Sequence, residues 1–98
     1  MRPVSGAVDR LLQRLGIARD VARADAVEKW PAAAVAVFGP DGAATRAVGI
    51  DNDTLIVAVP TAAWASEIRL REAEVVARLA ATSPHSGIRR IRTVPRSH

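Results

Sequence analysis

The stretch that most constrains this chain is Leu55-Ile56-Val57-Ala58-Val59, broken by Pro60-Thr61 and followed by a long segment at helical spacing. Leu55, Val57 and Val59 alternate with Ile56 and Ala58, so the run reads as a strand with both faces able to be covered. The segment over 61–81 reads as one amphipathic helix, with Trp64, Ile68, Val75 and Leu79 as its stripe and Leu70 and Val76 beside it. Arg71 interrupts that stripe where an apolar residue is expected. Glu67-Arg71 and Glu74-Arg78 are i,i+4 pairs in the favourable order, each contributing ~0.2–0.5 kcal/mol. A strand that feeds such a helix leaves apolar faces that the rest of the chain must cover.

Upstream, Asp51-Asn52-Asp53 suits a hairpin, because Asn and Asp tolerate positive φ. It joins a strand over 45–50, with Val48 and Ile50 on one face, to a strand over 54–59. Near the N-terminus Ser5 can cap a helix. Val8, Leu11, Leu12 and Leu15 share one helical face, and Gly16 suits a terminator, which predicts a first helix over 6–15. A second helix starts between Ile17 and Asp20, with Ile17, Val21, Ala24 and Val27 sharing a face that continues toward Trp30, and ends or kinks at Trp30-Pro31. Residues 32–38 are read as a further helical segment, closed by Gly39-Pro40-Asp41-Gly42. Downstream, 82–87 is a loop. Residues 88–94 are a third strand with Ile91 and Thr93 on one face and Ile88, Arg90, Arg92 and Val94 on the other.

The expectation is one α+β domain spanning 1–98, ordered over about 5–94 with a tail at 95–98. Its order is α-α-β-β-α-β, with a three-stranded sheet covered by helices. Aromatic residues make up only 3% of the chain, so the core rests on Leu, Ile and Val with Trp30, Phe38 and Trp64. The absence of cysteine excludes disulfides and thiolate metal sites. No apolar run reaches the ~20 residues of a membrane span. No apolar stretch of signal-peptide type follows the basic N-terminus, so a cytoplasmic protein is expected.

Enzyme chemistry finds no support. His85 and His98 have no metal-ligand spacing, and Ser83-Pro84-His85-Ser86 lacks a base and an orienting group. Turn chemistry accounts for Asp51 and Asp53. No cofactor or metal is expected, and no G-x-x-x-x-G-K-[ST] phosphate loop is present. Gly39-Pro40-Asp41-Gly42 is a literal G-x-x-G, the pattern that clamps nucleotides in KH domains. Its acid and its proline disfavour phosphate, and the helix-terminating reading is preferred.

Charge is more informative. The net +4 equals the four arginines Arg89, Arg90, Arg92 and Arg96, since the other ten basic residues balance ten acids. A charged strand edge that resists aggregation and a phosphate-binding patch both account for this cluster. Four phosphate contacts give a salt slope of only roughly −3 to −4, which means weak, sequence-independent binding. Trp30 and Trp64 lie on apolar helix faces and are read as packing residues.

Trp30, Val37-Phe38-Gly39, Asp53-Thr54-Leu55-Ile56-Val57-Ala58-Val59, Ala63-Trp64-Ala65-Ser66-Glu67-Ile68, Leu79 and Ile88-Arg89-Arg90-Ile91-Arg92 together resemble the DciA family. These are bacterial proteins that recruit or load the replicative helicase DnaB. The most specific part is Val57-Ala58-Val59, a short break, then Trp64-Ala65-Ser66-Glu67-Ile68 opening a helix. Arg71 departs from the family's commonly apolar residue, and the stretch from Trp30 to Gly39 is about a turn longer than usual. The resemblance implies a KH-like fold, DNA binding and a DnaB partner. It leads to an expected monomeric, non-enzymatic replication accessory protein that contacts single- or double-stranded DNA through Arg89, Arg90, Arg92, Arg96, Arg10 and Arg14. The alternative is an RNA-binding KH-like module.

Overall fold

The computed structural model describes residues 3–96, with side chains from residue 20 onward. Helix α1 (Pro3–Phe38) leads through a short 3₁₀ helix (Pro40–Ala44) into strands β1 (Arg46–Asp51) and β2 (Thr54–Val59). Helices α2 (Ala62–Leu70) and α3 (Glu72–Thr82) follow, and β3 (Arg90–Pro95) completes the sheet. The fold is α+β with a three-stranded sheet, as expected.

The sheet order is β1-β2-β3, with β2 central. A hairpin through Asn52, at φ 60, pairs β1 antiparallel to β2. β3 runs parallel to β2. A parallel neighbour needs a crossover, and α2 and α3 supply it. Leu55, Val57 and Val59 point to one face and meet Ala26, Trp30, Ala33 and Ala34 of α1, Ile68 of α2, and Val75 and Leu79 of α3. Ile88 joins this core from the loop before β3. In register, Ile56 and Ala58 share the opposite face with Arg46 of β1 and Arg92 and Val94 of β3.

The N-terminal half departs from the expected pair of helices. α1 is continuous: Gly16 does not end a helix, and Pro31 lies inside one. A proline in a helix interior costs about 3 kcal/mol through its missing N–H and ring clash. The neighbouring Trp30 is fully buried. Burying ~150–250 Å² of aromatic surface contributes roughly 4–6 kcal/mol at ~25 cal/mol per Å². Packing therefore outweighs the local preference to stop before Pro31, which itself stays on the exposed side.

Trp30 is also tied by polar contacts. Its Nε1–H donates to Thr45 Oγ1 at 3.0 Å, and the Thr45 hydroxyl donates to the Gly42 carbonyl at 2.7 Å. The 3₁₀ helix is thus clamped against α1. Gly39 takes φ 86 to end α1, its N–H donating to the Val35 carbonyl at 2.9 Å. A Cβ on Gly42 would lie 2.6 Å from the Ala34 carbonyl oxygen, so this glycine exists for close packing. The G-x-x-G therefore serves as a helix terminator, as its chemistry suggested.

The helix expected over 61–81 is divided at Arg71, whose φ of −116° and ψ of 23° leave the helical region. A charged residue on the buried stripe cannot enter the core without a large desolvation cost. The chain bends there instead, and the Arg71 guanidinium lies over the Phe38 ring at 5.6 Å and pairs with Glu74 at 2.9 Å. This i,i+3 bridge takes the place of the expected Glu67–Arg71 pair. Trp64 is only half-buried and packs edge-on against Phe38, with centroids 5.5 Å apart. Leu70, expected beside the stripe, is 81% exposed at the end of α2, just before the bend.

Two strand details also differ. A bulge between Ala47 and Gly49 turns Val48 outward, 53% exposed, while Ile50 packs on the core. Ile88 precedes β3 rather than belonging to it, and Gly87 at φ 73 lets it reach the core out of step with the strand's alternation.

Candidate nucleic-acid interface

β3 carries the arginine cluster, and its placement is set by backbone contacts. The N–H groups of Arg89 and Arg90 donate to the Asp53 carbonyl at 2.8 and 3.2 Å. The hairpin turn thereby anchors the start of the strand. At its far end the Arg96 N–H donates to the Val59 carbonyl at 2.8 Å. On the outer edge, the Ile91 N–H donates to Glu72 Oε2 at 2.8 Å, from the first residue of α3.

Between this edge and the α2–α3 bend runs an open groove of about 730 Å³. Arg69, Arg89, Arg90 and Arg92 line it, with Ile68 and Ala65 on its apolar wall. Glu72 is the one carboxylate among the lining residues, and it is engaged on the Ile91 N–H. Four arginines against one carboxylate in the lining favour a polyanion. Arginine's planar fork suits phosphate oxygens.

The four predicted arginines do not form one patch. Arg90 and Arg92 alternate with Ile91 and flank the groove at the strand edge. Arg92 Nη2 also lies 4.0 Å from Asp51 across the sheet, with both groups largely exposed. Such a pair contributes little. Arg89 faces a second hollow of about 300 Å³, which Arg23 and His85 also line. Arg23 is held there by donating from Nη2 to the Asn52 carbonyl at 3.0 Å. Arg96 lies at the opposite end of the strand, where its Nη1 donates to the Ala44 carbonyl at 3.3 Å. Arg10 and Arg14 fall in the part of α1 whose side chains lie outside the described residues.

Sequence reasoning missed Arg69 and Arg23. Neither lies in a run of adjacent basic residues, so no local cluster marks it. The one available signal for Arg69 was its position on the polar side of α2, facing the strand that follows the crossover. Ser83 lies in a stretch whose composition predicts only a loop. It is buried, and its hydroxyl donates to Asp25 Oδ2 at 2.6 Å, which ties the end of α3 to α1.

Among the described residues, no group of His, Asp and Glu gathers in a way that could hold a metal ion. Among the same residues, no helix is long and apolar enough to cross a membrane.

A family model described as "Dna[CI] antecedent, DciA" matches residues 3–93, nearly the whole chain. The chain belongs to the DciA family. DciA proteins form a DnaB helicase loader family, which gives this member a role as a replication accessory protein. DciA is not a known enzyme family. No curated protein matches the chain.

Proposed function

We propose that this DciA-family protein binds the replicative helicase DnaB and holds nucleic acid in the groove between the α2–α3 bend and β3, assisting helicase recruitment or loading without hydrolysing ATP. The observation that carries the nucleic-acid part is that Arg69, Arg89, Arg90 and Arg92 all line one groove, in which Glu72 is the one carboxylate among the described residues and already accepts from the Ile91 N–H. The helicase part rests on family membership. The core order α-β-β-α-α-β is read as KH-like, acting as a monomer. The chain's own G-x-x-G packs against Ala34 and is not available to clamp a backbone, so guanidinium groups take over phosphate contact. Among the described residues, no aromatic side chain lines the groove. Binding is therefore backbone-directed and tolerant of sequence, without the stacking that other single-strand binders use.

The test is a titration of the protein with fluorescent single-stranded DNA at several salt concentrations. Changing Arg89, Arg90 and Arg92 together to Ala weakens binding about equally for all sequences and flattens the salt slope by about 2–3. Unchanged affinity at low salt rejects the groove. A pull-down with the intact protein as bait tests the helicase arm: DnaB recovered at gentle salt supports it, and its absence rejects it. Preference for RNA over DNA of the same sequence would point to contact with the 2′-OH and to the RNA-binding alternative.

A further inference from the structure

The face of the sheet turned away from the helices carries a second concave feature, separate from the groove. It is a hollow of about 460 Å³ lined by Arg46, Val48, Ala58, Val94, Pro95 and Arg96, with Ala47 at its margin. Its origin is local. Ala58, on the central strand, stands between Arg46 on β1 and Val94 on β3 in register. Its methyl group is far shorter than either neighbour, so a depression forms above it. The bulge in β1 turns Val48 outward to extend the apolar floor. Arg96 is fixed at one rim by its bonds to the Val59 and Ala44 carbonyls. Arg46 forms the other rim and is exposed. Among the described residues, no carboxylate lines the hollow.

We propose that this open sheet face is a docking surface for an acidic, apolar segment of a partner protein, with an apolar side chain over Ala58 and flanking carboxylates on Arg46 and Arg96. Charge complementarity selects the acid, because Arg46 and Arg96 line the hollow and, among the described residues, no carboxylate does. The apolar floor selects a peptide over a phosphodiester, which has no apolar group to place there. Trp30, Phe38 and Trp64 all pack on the helical side, so this face has no ring on which a base could stack. The surface lies apart from the α2–β3 groove, and its test is independent of whether DNA binds there.

The experiment uses the full chain labelled with ¹⁵N. It is titrated with a short synthetic Glu/Leu peptide, its Gln/Leu counterpart, and oligo(dT). The expected result is that the Glu/Leu peptide shifts the amide signals of Val48, Ala58, Val94 and Arg96. The Gln/Leu peptide binds about tenfold more weakly, the scale of one lost charge-assisted contact. Ala58→Phe fills the hollow without removing charge and abolishes peptide binding. If that variant fails to fold, Arg46→Glu serves the same purpose, because an exposed edge-strand charge is reversed without touching the core. Arg69→Ala leaves peptide binding unchanged. The proposal is overturned if the Glu/Leu peptide leaves these signals unmoved at millimolar concentration. It is equally overturned if both peptides bind alike, or if oligo(dT) moves the same signals more strongly than the peptide, which would make the face a nucleic-acid surface.

Discussion

Gly42→Ala is the sharpest probe of how α1 is joined to the sheet. The new Cβ would sit 2.6 Å from the Ala34 oxygen, 2.8 Å from its carbonyl carbon and 3.1 Å from the Val35 nitrogen. All three are backbone atoms of α1, beside fully buried Ala34, and none can swing aside as a side chain would. Ordinary contact begins at 3.4 Å, so the 3₁₀ helix must withdraw by most of an ångström. That withdrawal stretches the 2.7 Å bond from Thr45 Oγ1 to the Gly42 carbonyl and disturbs the 3.0 Å bond from Trp30 Nε1 to Thr45. Overpacking costs about 1–3 kcal/mol, and weakening a buried donor's bond adds about 1 kcal/mol or more. Alanine returns about 0.4–1 kcal/mol by restricting the unfolded chain. The net expectation is a loss of about 2 kcal/mol, or about 8–16 °C in Tm for a domain of this size. Urea unfolding followed by circular dichroism and tryptophan fluorescence measures it. Gly49→Ala is the control, because its Cβ meets nothing within 4 Å. If Gly42→Ala stays within about 0.5 kcal/mol of the parent, the close approach does not constrain the fold and the reasoning fails.

Three further outcomes follow from the same contacts. Thr45→Val keeps the shape but leaves the buried Trp30 Nε1–H without its acceptor; a loss of about 1–3 kcal/mol is expected in chemical denaturation. Pro31→Ala restores a helix N–H on the exposed side of α1; stability should rise by about 1–3 kcal/mol, and a fall in Tm would show that the proline is needed in place. The hydrogen bond from Arg71 holds the Glu74 carboxyl below the usual glutamate range and, with charge attraction, raises Arg71. A depressed folded pKa means that the pair's small contribution is complete above about pH 4.3, the unfolded value, and fades as pH falls through the lower folded value. Glu74→Gln should therefore flatten the stability–pH curve on its acid side, and an identical curve would show that the bridge has no thermodynamic weight.

Much of this protein was settled by short-range chemistry. The limits of β2, the turn at Asn52, the buried stripe of Ile68, Val75 and Leu79 and the helical state of 32–38 all follow from periodicity and turn preference, which act over a few residues. The same signals led to family membership through the Val57-Ala58-Val59 strand and the Trp64 helix start. Other features depended on energies that arise only between distant segments. Burial of Trp30 against Thr45 holds α1 continuous through Pro31, against the local bias to stop. The Phe38 ring and Glu74 receive Arg71 and allow the crossover helix to bend instead of burying a charge. Most consequentially, the arginines that look like one cluster in the chain are divided by strand alternation and by their place along β3. Arg90 and Arg92 join Arg69 at the groove, Arg89 also lines a hollow with Arg23, and Arg96 shares the hollow over Ala58 with Arg46. Sequence determined that positive charge would sit on the last strand. The register of that strand and the crossover that positions it decided which charges act together.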